Sequence, residues 1–170
     1  MSAIKSLSYK KFIHYLCDDK PSKRFCFILG AGASVESGID SASKLARKWL
    51  AEIEQIDQQE YAAFITEHKI QEDNPAAHYG EIYAERFAAD PQDGADELAA
   101  LMENKEPSFG YSVLAQLLAQ GTHNLVITPN FDSLTEDALF IYTDKKPLVI
   151  GHESLAGFIK PTARPLIIKV

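Results

Sequence analysis

Two short segments hold the residues whose types and spacing could do chemistry. Residues 30–34 read Gly-Ala-Gly-Ala-Ser and directly follow an apolar run. A pyrophosphate must come close to the backbone at such a turn, and residues this small leave that approach open. A hydroxyl donor and the positive end of a following helix would add to the attraction. The predicted contact residues of this glycine loop are Gly30, Ala31, Gly32, Ala33 and Ser34.

The glycine loop departs from two common phosphate-binding patterns. The dehydrogenase fingerprint would place a third glycine where Val35 stands, and an acidic residue about 20 positions further on at the end of a second strand. Glu52 and Glu54 fall near that distance, but in a predicted helix. A P-loop is excluded because no Gly-Lys-Ser/Thr follows. A tight strand-to-helix turn without a ligand is the alternative that the glycines alone leave open.

The second segment, residues 128–132, reads Thr-Pro-Asn-Phe-Asp and follows a predicted strand directly. In an open α/β sheet, the carboxyl ends of the strands meet at the ligand crevice. We therefore expect Thr128, Asn130 and Asp132 to lie near the glycine loop, although they are far from it in sequence. The alternative is that the asparagine and the aspartate only cap the next helix.

Short apolar runs alternate with helical patterns, which is typical of a parallel sheet. The first run, residues 24–29, is nearly all apolar and favours a central strand covered on both faces. Further strands are predicted at 124–128, 147–150 and 166–170. Helices are predicted at 8–17 with Ser8 as N-cap, from about Ser43 as N-cap to Ile53, around Leu114 to a stop at Gly121, and around Leu134 with Asp132 or Ser133 as the cap. The predicted fold class is α/β with a doubly wound, Rossmann-like parallel sheet.

Residues 61–106 carry helical patterns and no convincing strand. Two apolar stripes are separated by Asp90-Pro91 and Asp93-Gly94. We interpret the region of about 51–107 as a small helical module inserted into one domain spanning 1–170, since the length suits a single domain. The stripes are interpreted as core rather than as a site. Their members are Tyr79, Ile82, Tyr83 and Phe87 in the first, and Leu98, Leu101 and Met102 in the second.

Composition excludes several classes of partner. The formal net charge is −7 and no Lys/Arg block stands out, so no surface for nucleic acid is predicted. No stretch approaches the roughly 20 apolar residues of a membrane-spanning helix, and the N-terminus lacks the apolar segment of a secretory signal. We therefore expect a cytoplasmic protein without a membrane partner. Cys17 and Cys26 are not spaced as a metal pair, no metal is predicted, and Cys26 is interpreted as a buried thiol rather than a disulfide or catalytic one.

Three segments taken in order resemble the sirtuin superfamily: residues 30–34, Ser37-Gly38-Ile39, and residues 128–132. The chain looks most like the bacterial sirtuin-like domains at the N-termini of antiphage defence proteins, and the resemblance covers residues 25–170. It implies a Rossmann-like fold with a small helical module, and NAD⁺ as the ligand. The implied NAD⁺-binding residues are Gly30, Ala31, Gly32, Ala33, Ser34, Ser37, Thr128, Asn130 and Asp132.

The resemblance also implies individual roles. Ala31, Gly32 and Ser34 would contact the phosphates or the adjoining ribose. Asn130 would be catalytic, orienting the nicotinamide ribose or the attacking water. Asp132 would bind the carboxamide of nicotinamide.

Two departures from the deacylases of that family favour NAD⁺ hydrolysis over deacylation. Residues 51–107 contain none of the four cysteines that bind zinc in the small module of those enzymes. The stretch that follows Ser-Gly-Ile in deacylases is replaced by Asp40-Ser41-Ala42. The resemblance then implies hydrolysis to nicotinamide and ADP-ribose, and a role in antiphage defence through NAD⁺ depletion.

The histidine of the family follows a strand like 166–170, so we expect the general base beyond Val170, together with further C-terminal domains. His152 is interpreted as a loop histidine without a catalytic role, and nothing recommends His14, His68, His78 or His123. Three alternatives stay open: an NAD⁺-dependent protein deacylase, a non-catalytic module that senses NAD⁺ or ADP-ribose, and an oligomerisation scaffold. Association into a homo-oligomer is also open, because a last strand without a covering helix would expose apolar surface.

Overall fold

The structure is a computed structural model that describes residues 6–18, 24–159 and 164–170. It divides into two compact units. The first contains the described residues of Met1–Ala33 and Glu106–Val170, and the second is Ser34–Lys105. Strands and helices alternate in the first unit, whereas the regular elements of the second are all helical.

A four-stranded, all-parallel sheet forms the centre of the first unit, so the α/β fold class is confirmed. Its strands are β1 (Cys26–Ile28), β2 (Leu125–Thr128), β3 (Leu148–Ile150) and β4 (Leu166–Lys169). Their order across the sheet is β1-β2-β4-β3. The middle strands carry the buried residues Val126 and Ile167, both with no exposed surface, because each has a hydrogen-bonded neighbour on either side.

The prediction that residues 24–29 form a central strand covered on both faces is wrong. Among the strands that the structure describes, β1 pairs only with β2, so it lies at an edge of the sheet. Ile28 is 78% exposed, and Cys26 is exposed rather than buried. An apolar run reports what a strand is made of, but not how many neighbours it has.

Both cysteines are free thiols, which removes the disulfide alternative. The Cys26 thiol donates to the carbonyl of the next residue, Phe27, with Sγ 3.7 Å from the oxygen. Although Cys26 is exposed overall, partial desolvation by neighbouring protein atoms raises the pKa of this thiol above its ordinary value. It is therefore protonated at neutral pH, which disfavours a role as a nucleophile.

Three helices accompany the sheet in the first unit: α1 (Tyr9–Leu16), α6 (Phe109–Ala119) and α7 (Leu134–Tyr142). Ser8 caps α1 as predicted, its Oγ accepting from Lys11 N at 3.4 Å. Gly121, with φ of 82°, follows α6 in the left-handed conformation that favours glycine, as the predicted stop requires. Helices α6 and α7 pack against each other.

The second unit contains α2 (Ala42–Ile56), α3 (Gln58–His68), α4 (Tyr79–Arg86) and α5 (Pro91–Met102). The predicted face of α2 is buried as expected, at Leu45, Ala46, Trp49, Leu50 and Ile53. Its N-cap is Ser41 rather than Ser43, with the Ser41 Oγ accepting from Lys44 N at 3.3 Å. Ser43 has the right side chain for a cap, but the chain is already helical there.

Gly94 is not a break between helices, as the Asp93-Gly94 pair suggested. It is buried inside α5, and a Cβ built on it would lie 2.5 Å from Tyr83 Oη and 2.8 Å from Phe87 Cγ. The glycine therefore allows α5 to approach the aromatic rings of α4 and the residue after it. Those rings surround Trp49, which has no exposed surface, so the first predicted stripe is core, as expected.

A carboxylate of α5 is tied to this core. Glu97 Oε1 accepts from Trp49 Nε1 at 2.9 Å and from Lys48 Nζ at 2.8 Å. Burial raises the pKa of Glu97, but the hydrogen bonds from Lys48 and Trp49 outweigh it and hold the pKa below its ordinary value. A carboxyl whose folded-state pKa is lowered contributes stability above its unfolded-state pKa, and that stability is lost as the pH falls through the folded-state value.

We predict that Glu97→Leu lowers the free energy of unfolding at neutral pH by about 1–3 kcal/mol, because the indole N–H loses its acceptor in a buried site. Glu97→Gln is the matched control, since it keeps an oxygen for Trp49 but cannot ionise. Its free energy of unfolding should fall less steeply than that of the parent between about pH 5 and about pH 3. Urea unfolding across this range measures both effects, and identical acid slopes for the parent and Glu97→Gln would contradict the prediction.

Candidate functional site

The glycine loop leaves the carboxyl end of β1 and passes into a 3-10 segment, Ala31–Ser37. Gly30, Ala31 and Gly32 are exposed, and the Gly30 carbonyl accepts from Ala33 N at 2.9 Å. The backbone at these two glycines is not left-handed. A Cβ built on either one would meet no atom within 4 Å among the residues that the structure describes. Neither conformation nor packing within the chain requires glycine at these positions.

The second loop leaves the carboxyl end of β2 and is fixed by its first residue. Thr128 is 4% exposed, and its Oγ accepts from Asn130 N at 3.0 Å. The Thr128 carbonyl accepts from Val170 N at 3.0 Å, which links the loop to the strand beside it. The backbone of Asn130 is therefore held against the carboxyl end of the sheet.

The structure brings the two loops together. Strands β1 and β2 are parallel neighbours in register, with Ile28 opposite Ile127, so both loops leave the sheet side by side. The Asn130 side chain donates from Nδ2 to the Gly30 carbonyl at 3.1 Å, across 100 positions of sequence. This convergence was predicted from the geometry of parallel sheets, but the direct hydrogen bond was not.

Asp132 contacts the start of α7, although the N-cap position itself is Ser133, whose side chain makes no capping bond. Its Oδ1 accepts from Leu134 N at 3.2 Å at the start of α7. Lys169 Nζ donates to the Asp132 carbonyl at 2.7 Å and lies 2.9 Å from Glu136 Oε1. The backbone of half-buried Asp132 is thus fixed by a lysine of β4, and its carboxylate is held by the first residue of α7.

The two serines predicted to contact the ligand belong to the second unit. Ser34 is 1% exposed, and its carbonyl accepts from Ile39 N at 3.2 Å. Ser37 is half-buried at the end of the 3-10 segment. In the first unit, Gly30, Ala31 and Gly32 are exposed, Asn130 is half-buried, and Phe131 is 75% exposed.

His123 has a positioning role that the sequence did not indicate. It is 1% exposed, and its Nδ1 accepts from Phe25 N at 3.1 Å. The bond fixes the chain entering β1 beside the chain entering β2, and so contributes to the alignment of the two loops at the far ends of these strands. The role depends on a hydrogen bond between residues 98 positions apart, so no local sequence pattern could have predicted it.

His152 lies in a loop, as predicted, and contacts the nearby Ser154. Its Nδ1 accepts from Ser154 N at 3.1 Å and lies 2.8 Å from Ser154 Oγ, in an exposed turn. The contact stabilises the turn after β3.

Comparisons with known proteins add no family: no protein-family model matches the chain, and no curated protein matches it. Within the described residues, no three His, Cys, Asp or Glu side chains are grouped so as to hold a metal ion. Across the same part of the chain, no helix is long and apolar enough to cross a membrane.

Proposed function

We propose that this chain holds NAD⁺ over the glycine loop and hydrolyses it to nicotinamide and ADP-ribose. The observation that carries the proposal is the open space at Gly30 and Gly32. A side chain at either position would meet no atom of the residues that the structure describes, so the backbone there is open to a molecule that approaches from outside. Backbone approach of this kind is what pyrophosphate recognition requires.

A second observation supports a dinucleotide rather than a lone phosphate. Asn130 is tied to the Gly30 carbonyl, and Asp132 follows two residues later. Polar groups able to bind a ribose and an amide thus lie next to the glycine loop in the sheet, at the carboxyl ends of parallel strands. The order of the motifs resembles that of sirtuin-like domains, and we extend the proposal to their doubly wound, Rossmann-like topology.

In the proposed reaction, water adds to the anomeric carbon of the nicotinamide ribose as the bond to nicotinamide breaks. The bonding electrons leave with the pyridinium nitrogen, so nicotinamide departs neutral, and the transition state resembles an oxocarbenium ion. Asn130 orients the water or the ribose hydroxyl, and Asp132 holds the carboxamide of the leaving group. The proton lost by water passes to a general base, which the resemblance places after a strand in the position of β4.

The proposed biological role is NAD⁺ depletion in the bacterial cytoplasm during phage infection, again by resemblance. The lack of zinc-binding cysteines in residues 51–107 favours hydrolysis over deacylation. Chromatographic separation of the products that the whole protein forms from NAD⁺ tests the reaction. Nicotinamide with ADP-ribose supports hydrolysis. Acetylated ADP-ribose that forms only when an acyl-lysine peptide is present would instead show that the protein is a deacylase.

Non-catalytic sensing of NAD⁺ or ADP-ribose is the second candidate function. It is favoured by the structural contacts of both polar residues, since Asn130 ties the loop and Asp132 accepts from the first residue of α7. Saturable NAD⁺ binding by the whole protein without release of nicotinamide would support sensing over hydrolysis.

A further inference from the structure

A cavity of about 630 Å³ lies in the first unit at the amino ends of the strands, whereas the glycine loop lies at their carboxyl ends. Its walls come from three connections that lead into the amino ends of β2, β3 and β4. Because the strands are parallel, their amino ends all lie on the same side of the sheet, opposite to the carboxyl ends from which the glycine loop leaves. The lining residues are Ala119, Gln120, Gly121, Asp144, Lys145, Lys146, Arg164 and Pro165.

The charge of this cavity is opposite in sign to that of the chain. Lys145, Lys146 and Arg164 contribute three cations against the single carboxylate of Asp144, in a protein of net charge −7. Lys145 Nζ lies 3.4 Å from Asp144 Oδ1, but that carboxylate is 84% exposed, so the pair is weak. Lys146 Nζ makes no ion pair with any residue that the structure describes.

The backbone of the cavity is held by hydrogen bonds. Arg164 donates from Nε to the Lys146 carbonyl at 2.9 Å and from Nη2 to the Pro147 carbonyl at 2.8 Å. Asn124 Nδ2 donates to the Arg164 carbonyl at 3.2 Å. The guanidinium is thus fixed between the starts of β3 and β4.

We propose that this cavity binds the phosphate groups of a small phosphorylated molecule, at a site separate from the glycine loop. Its volume falls in the range of small-molecule sites. A fixed guanidinium with two lysines offers both directed donors and mobile point charges, which is the combination that oligophosphates match. The net negative charge of the chain disfavours a long polyanion such as duplex DNA, which would extend beyond the three cations.

Inorganic triphosphate is the probe, and amide chemical shifts of the whole chain are the readout. We expect saturable shifts at Gly121, Lys145 and Lys146, and an affinity that falls as sodium chloride rises from about 0.05 M to about 0.3 M. Lys146→Gln should weaken the affinity by about 3- to 10-fold, since one nearby charge is removed from an exposed position. Lys145→Gln should weaken it as well. ATP should shift the same amides if the phosphates alone are recognised.

Lys10→Gln is the matched control, because it removes one exposed lysine on α1, which does not line the cavity. Its affinity for triphosphate should equal that of the parent. The proposal is overturned if the shifts do not saturate, if Lys10→Gln weakens binding as much as Lys146→Gln, or if the shifts are confined to residues 30–32. In that last case the anion occupies the glycine loop, which would leave the proposed NAD⁺ site standing and remove this one.

Discussion

Gly32→Val is expected to lower the affinity for NAD⁺ by about 100-fold or more and to leave the fold intact. Across the described part of the chain, no atom lies within 4 Å of a Cβ built at this position, so the added side chain meets no steric clash there. A valine would instead fill the space through which the phosphates approach the backbone. The expected loss corresponds to about 2.7 kcal/mol of binding free energy. Isothermal titration with NAD⁺ measures the loss, and thermal unfolding checks the fold.

Gly80→Val is the matched control for this variant. Gly80 lies in α4 of the second unit and is exposed, and a Cβ built on it would likewise meet no atom within 4 Å. The same chemical change is thus made at a glycine that is equally open but is not part of the glycine loop. NAD⁺ affinity should be unchanged in Gly80→Val. Equal NAD⁺ affinity in the parent and in a folded Gly32→Val variant would contradict the proposal that the glycine loop binds the phosphates.

Asn130→Ala is expected to reduce the rate of nicotinamide release by about 100-fold or more, in a chain that includes the general base. The side chain is proposed to orient the attacking water or the ribose, and misplacement of a reacting group by about 1 Å can cost this much. The variant also loses the hydrogen bond from Nδ2 to the Gly30 carbonyl. We therefore expect a decrease of about 1 kcal/mol in the free energy of unfolding as well.

Asn124→Ala separates these two effects. Asn124 also donates from Nδ2 to a backbone carbonyl, that of Arg164 at 3.2 Å, but this bond lies at the amino ends of the strands. Its loss should cost a similar amount of stability without slowing nicotinamide release. Retained hydrolysis in Asn130→Ala would exclude Asn130 from the mechanism, and equal slowing in both variants would assign its effect to stability alone.

Much of the sheet could be predicted because its signals are local. Apolar runs bounded by turn residues gave the positions of β2, β3 and β4 closely, and the helical spacing of apolar residues identified the buried face of α2. The same signals failed where the outcome depends on neighbours distant in sequence. β1 has the apolar composition of a central strand but lies at an edge of the sheet. Gly94 is a residue type that often ends a helix, but it lies inside a helix that packs on aromatic rings.

The candidate site divides in the same way. That the two loops meet follows from the geometry of parallel strands, and their residues could be named in advance. The bonds that hold them could not, because Asn130 reaches Gly30 across 100 positions and His123 reaches Phe25 across 98. Side-chain hydrogen bonds of this range depend on strand order and register, which a single sequence does not specify.

The most direct test of the proposed function is a titration of the chain with NAD⁺, followed residue by residue through its amide chemical shifts. Binding at the predicted place would shift Ala31, Gly32 and Asn130 saturably, and Gly32→Val would abolish those shifts while Gly80→Val kept them. Saturable shifts elsewhere, or none at all in the folded chain, would contradict the assignment of the glycine loop to NAD⁺.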